Sequence, residues 1–359
     1  MTVTRIEVGG AAPYPVIIGT GVLAELPQLV GPDAGTVAVI YPAGRGEVAR
    51  PVCGVLSGAG YQVCSEEVPP GEAAKTVAVA DRLWSALARH RLTRSDVIVG
   101  VGGGATTDLA GFVAGTWLRG VRLVLVPTTL LAAVDAAIGG KTAVNTGAGK
   151  NLVGVFHPPA GVLTDLAVLT SLPRPEYVSG LAEVIKAGFI ADPAILDLVA
   201  ADPDGAVVTH GRHARELVER AVRVKAEVVT GDLREAGRRE ILNYGHTLGH
   251  AIERVEDYRI RHGEAVAIGM VYAAEVARLA GRLAAAEAAR HRQLLAAVGL
   301  PTAYRSGAWP ELRARMVVDK KSRGARLRMV VLEGLARPVI LENPDERLLH
   351  RAYQEVTAR

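Results

Sequence analysis

The feature that most limits what this chain can become is a change of hydrophobic period at Pro173. Upstream, two β-like runs within residues 2–18 are followed by the buried, apolar runs Thr36–Tyr41 and Asp96–Val101, by further strands near Tyr61–Val68 and at Arg122–Val126, and by a last strand and turn over Val162–Leu172. Helical periods separate them near Glu47–Leu56 and in a helix that Glu72 and Lys75 open and that runs to about Arg89. Runs of this kind read as strands buried on both faces, and strands alternating with helices imply parallel βαβ units. Downstream, from Arg174 to about Val298, nearly everything has helical period, with breaks at Pro193, Pro203, Gly231 and Gly263. A hairpin (Leu327–Leu332 with Val339–Leu341) and a last helix from about Asp345 follow. The expectation is two domains, an α/β domain over residues 1–173 and an α-helical one over 174–359, and the length is ample for two cores.

Composition removes several classes of function. The net charge is +4, but basic residues are scattered among acidic ones, and no basic run is interleaved with aromatics. Nucleic acid is therefore not an expected partner. The most apolar stretch, Val121–Gly140, is interrupted by Pro127 and Asp135, so no membrane span is expected. The start, MTVTRIEVGG, lacks the charged and apolar regions of a signal peptide, and two cysteines make no disulfide framework. A cytoplasmic location is the expectation. Of 41 basic residues only seven are lysine: Lys75, Lys141, Lys150, Lys186, Lys225, Lys320 and Lys321. In a chain that otherwise uses arginine, these mark places where a compact ammonium is required and a planar guanidinium is not equivalent.

Three stretches carry chemistry. The strand Asp96–Val101 runs into Gly102-Gly103-Gly104-Ala105-Thr106-Thr107-Asp108 and then a helix over Leu109–Leu118. Glycines between a strand and a helix let backbone N–H groups approach a pyrophosphate at the helix N-terminus. The segment holding Asp135, Gly139-Gly140-Lys141, Asn145 and Gly149-Lys150-Asn151 is loop-like, and lysine, asparagine and glycine backbone together suit an anion. In RREILNYGHTLGHAIERVEDYRIRHGE, Asn243, His246 and His250 fall on one helical face, and His262 follows. His-x-x-x-His with a third ligand further on is a zinc-type spacing. The metalloprotease version has Glu directly after the first His, and Thr247 stands there instead.

The motifs GGGATTDLAGFVAGTWLRG, VPTTLLAAVDAAIGGKTAVN, GKNLVG, SGLAEVIKAG, ILNYGHTLGHAIE and RHGEAVAIG resemble those of 3-dehydroquinate synthase, within the sugar phosphate cyclases. The resemblance is densest over residues 100–270 and extends weakly over the whole chain. It implies an N-terminal Rossmann-like NAD-binding domain, an all-α C-terminal metal-binding domain, and an active site between them. The implied metal ligands, for zinc or cobalt, are Glu183, His246 and His262, which moves His250 to phosphate and proton transfer. Gly103, Gly104, Ala105, Asp108, Thr128 and Thr129 are implied to face NAD, with Glu72 and Lys75 on its adenosine side. Phosphate contacts are implied for Lys141, Asn151, Asn243, His250 and one of Lys320 and Lys321. Asp135 and Lys186 are implied to contact substrate hydroxyls, and Lys150 to sit between cofactor and substrate. Lys225 and Arg239 are implied to clamp a carboxylate. Arg119 is implied to reach a neighbouring subunit's site, hence a homodimer.

The implied reaction converts a small-molecule keto acid sugar phosphate, 3-deoxy-D-arabino-heptulosonate 7-phosphate, to 3-dehydroquinate and phosphate. It runs by transient oxidation with NAD, phosphate elimination, re-reduction and an intramolecular aldol closure. Other cyclases act on carboxylate-free sugar phosphates, and a metal-dependent alcohol dehydrogenase shares the two-domain plan. Lys225 and Arg239 favour the keto acid, because burying unpaired cations is costly. Two departures stand out: Thr107 occupies a position where many members have glycine, and Tyr41-Pro42 stands where an acidic residue commonly holds the adenine ribose.

Overall fold

The computed structural model describes residues 3–318 and 327–357. It divides into two compact units, one of residues up to Leu172 with Lys225–Arg234, the other of Pro173–Val224 and the residues from Glu235 on.

The first unit begins with the hairpin β1 (Thr4–Val8) and β2 (Tyr14–Gly19), in which Ile6 pairs with Val16. Next come α1 (Leu26–Val30), β3 (Thr36–Pro42), α2 (Gly46–Gly58), β4 (Gln62–Val68), α3 (Val77–Arg89), β5 (Val97–Gly102), α4 (Gly104–Thr116) and β6 (Arg122–Pro127). The strands β7 (Lys141–Thr146), β8 (Gly149–Phe156) and β9 (Gly161–Asp165) and the short α5 (Leu166–Leu169) complete it. Seven strands form one sheet in the order β1-β2-β9-β6-β5-β3-β4, parallel throughout except for the first hairpin. Val37, Val39, Val97, Val99, Val101, Val124 and Val126 are buried under Leu26, Val52 and Leu56, as continuous apolar strands require.

The chain leaves β3 toward β4 and returns on its other side as β5. In such sheets a ligand crevice opens outside the carboxyl ends of the strands at this reversal. Tyr41-Pro42 and Gly102–Gly104 stand there.

Local structure departs from the sequence reading at three places in this unit. The helix expected from Glu72 starts at Val77, capped by the Thr76 hydroxyl; Glu72 lies in a preceding 3₁₀ turn and Lys75 outside both. The helix expected from Leu109 starts at Gly104, five residues earlier. The segment read as a loop contains the β7–β8 hairpin, built on β-branched Thr142, Val144, Val153 and Val155 that its many glycines had masked.

The second unit holds α6 (Arg174–Ile190), α7 (Pro193–Ala201), α8 (Pro203–Ala206) and the start of α9 (Ala214–Gly231), whose residues from Lys225 group with the first unit. A 3₁₀ turn (Arg238–Asn243) leads to α10 (His246–Val255), α11 (His262–Leu279), α12 (Ala285–Ala297) and α13 (Trp309–Val318). The hairpin β10 (Arg328–Leu332) and β11 (Pro338–Glu342) precedes α14 (Glu346–Glu355). Every residue of α6 from Tyr177 to Ile190 is buried. A helix apolar all round belongs in a core, and Glu183 and Lys186 are the charged exceptions on it. Gly263 opens α11 rather than breaking a helix. Among the described residues no helix is long and apolar enough to cross a membrane.

Candidate metal centre and cofactor site

In the second unit Glu183, His246 and His262 each direct one ligand atom toward the others, all within 4.8 Å. Three helices supply them: α6, and the first residues of α10 and α11. Gly245, left-handed at φ 81°, ends the 3₁₀ turn and starts α10 abruptly at His246. Asn243 therefore lies before the helix, and the expected shared face of Asn243, His246 and His250 does not form. Its side-chain amide donates to Glu235 at 2.7 Å. Gly263 sits so close to α6 that a Cβ there would lie 1.8 Å from the Ser179 carbonyl oxygen, and its N–H donates to the Ser179 hydroxyl at 3.0 Å. That contact sets His262 beside Glu183.

The donor set fits a divalent cation. Glu183 Oε2 pairs with Lys186, while Glu183 Oε1 is buried and accepts no hydrogen bond. His246 Nε2 stands 3.7 Å from that oxygen and His262 Nε2 3.6 Å. His246 Nδ1 donates to the Tyr244 carbonyl at 3.1 Å, so its bare Nε2 faces a carboxylate oxygen, acceptor against acceptor. Ligands about 2.1 Å from one tetrahedral ion stand about 3.4 Å apart, close to these spacings. Burial would raise the Glu183 carboxyl, but Lys186 and the two imidazoles outweigh it and hold it well below the usual range. Burial and the Lys186 charge push His246 down to about 3, a neutral ligand at ordinary pH. Burial also opposes charge on His262, yet the Glu183 and Glu253 carboxylates flanking its two nitrogens raise it to about 10. An ion taking Nε2 would displace that proton.

Glu253 and Tyr244 escaped the sequence reading. Glu253 Oε1 lies 3.3 Å from His262 Nδ1, the supporting carboxylate a ligating histidine usually has. His250 completes a second cluster with Glu253 and His262, its ring 5.0 Å from that of His246. Arg239 is buried in the 3₁₀ turn. Lys320 and Lys321 lie outside the described residues.

In the first unit, Gly103 precedes α4 and its carbonyl accepts from the Thr106 and Thr107 amides at 3.0 Å each. The Gly104 and Ala105 amides belong to the helix's first turn, where donors have no intrahelical partner. Thr107, the departure from glycine, is helical here; its hydroxyl donates to the Gly104 carbonyl at 3.0 Å, so a β-branched residue is accepted without strain. The Thr128 N–H holds the end of β6 to Gly102 at 2.9 Å, and Thr129 packs beside Gly103. Buried Lys75 donates to Asp108 at 2.6 Å and to Asn151, while Lys150 lies 3.4 Å from Glu72. Asn145, which the site reading omitted, ties this network together. It donates to Glu72 at 2.7 Å and accepts from the Asn151 N–H at 3.0 Å. Its signal in the sequence was its place in the anion-suited segment between Asp135 and Asn151. Lys225 pairs with Asp135, two residues that the reading had assigned to separate substrate groups. Lys141 opens β7. Arg119 is exposed and left-handed at φ 68°, next to Leu118 at φ 48°.

A parallel α/β unit followed by a helical unit is the architecture of the sugar phosphate cyclases. A 2-deoxy-scyllo-inosose synthase solved with carbaglucose-6-phosphate, NAD+ and Co2+ matches with TM-score 0.89 and 27% identity, covering 98% of this chain and 100% of that one. A 2-epi-5-epi-valiolone synthase from Streptomyces hygroscopicus subsp. jinggangensis 5008, solved with NAD+ and Zn2+, matches with TM-score 0.88 and 25% identity over 98% and 99%. The chain itself belongs to the 3-dehydroquinate synthase family, whose N-terminal part matches residues 65–179 and whose C-terminal part matches 180–322. The 3-dehydroquinate synthase of Thermobifida fusca (strain YX) is 66% identical over 358 residues, 99% of this chain and 97% of that one.

Proposed function

We propose that the chain converts 3-deoxy-D-arabino-heptulosonate 7-phosphate to 3-dehydroquinate and phosphate, with NAD and a divalent ion, zinc or cobalt, as cofactors. The observation that carries this is the buried, unsatisfied Glu183 Oε1 facing His246 and His262, in a chain 66% identical to a 3-dehydroquinate synthase. The ion, when bound, supplies Lewis acidity to the substrate's C4 and C5 hydroxyls, and NAD supplies a hydride acceptor regenerated in each turnover. Glu183, His246 and His262 hold the ion. Gly103, Gly104, Ala105 and the Lys75–Asp108 pair receive the nucleotide, with Glu72, Thr128, Thr129 and Lys150. Lys141, Asn151, Asn243 and His250 bind phosphate, and His250 moves a proton there. Asp135 and Lys186 take substrate hydroxyls.

Lys225 and Arg239 answer the carboxylate, which selects the keto acid over carboxylate-free sugar phosphates. Residues 1–173 make the cofactor domain and 174–359 the metal domain, apart from Lys225–Arg234, which group with the first. The enzyme works as a cytoplasmic homodimer. Supporting this, β8 exposes Leu152, Val153 and Phe156 and pairs as a strand only with β7 among the described residues. An apolar strand with an open edge suits a second copy. The strained turn at Leu118-Arg119 presents the arginine outward.

The test is phosphate release by purified protein from the keto acid phosphate, glucose 6-phosphate and sedoheptulose 7-phosphate, with and without NAD and a chelator. Release from the keto acid alone, abolished by chelator, is expected. Turnover only of a carboxylate-free sugar sinks the substrate assignment, and steady NADH accumulation with a simple alcohol favours a dehydrogenase.

A further inference from the structure

We propose that His291, on α12, is a positioning residue for the metal centre, acting through Tyr244; this rests on the reading that Glu183, His246 and His262 hold an ion. His291 is completely buried. Its Nδ1–H donates to the Glu287 carbonyl one turn back at 2.8 Å, which leaves Nε2 to accept the Tyr244 hydroxyl proton at 2.8 Å. Its ring stacks on Phe189, with centroids 3.6 Å apart and planes 6° from parallel. Phe189 lies six residues past Glu183 on the same helix. Tyr244 in turn stands just before Gly245, and its carbonyl holds His246 Nδ1 at 3.1 Å.

One buried imidazole therefore touches the helix that carries Glu183 and anchors the residue that sets the tautomer of His246. A phenyl ring would fill this volume at less cost, because a buried imidazole is tolerated only with both nitrogens bonded. Both are bonded here, and one bond leads through a single residue to a metal ligand. The anchor matters because Gly245 is left-handed at φ 81° and glycine resists backbone rotation least. Without its hydroxyl tether, Tyr244 would let the start of α10 turn, and His246 Nε2 would leave Glu183.

The experiment uses full-length protein loaded with Co2+, whose visible bands report ligand geometry, and the variants Tyr244→Phe, His291→Phe and their combination. Wild type must bind one Co2+ per chain; if it does not, the metal reading itself falls, whatever the variants do. Each single variant is expected to weaken Co2+ binding roughly 10- to 100-fold, the usual effect of losing a group behind a ligand. Each should also change the visible bands and leave NAD+ affinity as it was. The double variant leaves no polar partner stranded in the core. It should melt near the wild-type temperature and still bind Co2+ weakly. A lowered melting temperature with wild-type Co2+ affinity and spectrum overturns the proposal. If the single variants do not fold, the double variant decides, together with the 15N shifts of the His291 ring in wild type. Those shifts should move when Zn2+ is added, and shifts that stay still overturn the proposal.

Discussion

Glu183 holds a negative charge inside a helix buried on every side, a costly position unless cations answer it. Lys186 answers one oxygen only. Glu183→Gln should thus lower zinc affinity by more than about 100-fold, beyond what loss of a supporting group does. Equilibrium dialysis checks this, and one tightly held zinc per chain in the variant would refute the ligand assignment. Lys225 is the second residue with a sharp consequence. Its partner Asp135 belongs to the same unit, so Lys225→Ala takes a cation from that carboxylate as well as from the site. Truncating one member of such a pair costs about 2–5 kcal/mol. We expect kcat/KM for the keto acid to fall at least about 30-fold, with an unchanged enzyme contradicting the carboxylate role.

Lysine scarcity made these positions legible. Lys75, Lys186 and Lys225 are all buried and each pairs with a carboxylate in the structure. The Glu183-His246-His262 cluster was less legible. Spacing alone offered His246 with His250, and only the resemblance brought in Glu183, 63 residues before His246 in sequence. No local period records that α6 packs against α11.

Elements set these side chains by where they start and how closely they approach. Sequence periodicity ran a helix through Asn243, whereas the left-handed Gly245 begins it at His246. Gly263→Ala tests close approach, since its Cβ would lie 1.8 Å from Ser179 backbone. The variant should lose on the order of 2 kcal/mol or more of stability, as overpacking does, and zinc affinity with it. Thermal melting of the zinc-free protein and a zinc titration check both, and an unperturbed titration would contradict the view that this contact places His262.

His291 on α12 gives a pH dependence whose sign is fixed. Burial, only partly offset by the bond to Glu287, lowers its pKa from about 6.5 to about 4. The unfolded chain therefore binds the proton first. The contribution is fully present above pH 6.5 and is lost as pH falls toward 4, by on the order of 3 kcal/mol. Urea unfolding at pH 7 and pH 5 should show a steeper loss in wild type than in His291→Phe. Equal slopes would mean that this histidine is not buried neutral.

At the scale of the whole molecule the βα alternation up to Pro173 and the helical period beyond it were plain in the sequence, because periodicity reports burial directly. The β7–β8 hairpin was not, because neither strand alternates in burial: Thr142, Ala143 and Val144 are buried in a row, and Asn151–Gly154 are exposed in a row. The exposed surface of β8 supports the assembly reading. Leu152 is 62% exposed and Phe156 44%, on a strand whose outer edge has no partner among the described residues. A monomer with that surface would invite non-specific strand pairing, which natural edges usually block with charge or proline. β8 carries one lysine at its start and no proline. If a second copy covers it, Leu152→Glu with Phe156→Glu buries two carboxylates in an apolar contact and should shift the protein to monomer at micromolar concentration, read by light scattering. Phosphate-releasing activity should fall in step, because Arg119 then has no neighbouring site to enter, while metal binding by the helical unit persists. A wild-type monomer with full activity would remove both the dimer and the role of Arg119. A dimer unaffected by the two charges would move the interface to another face.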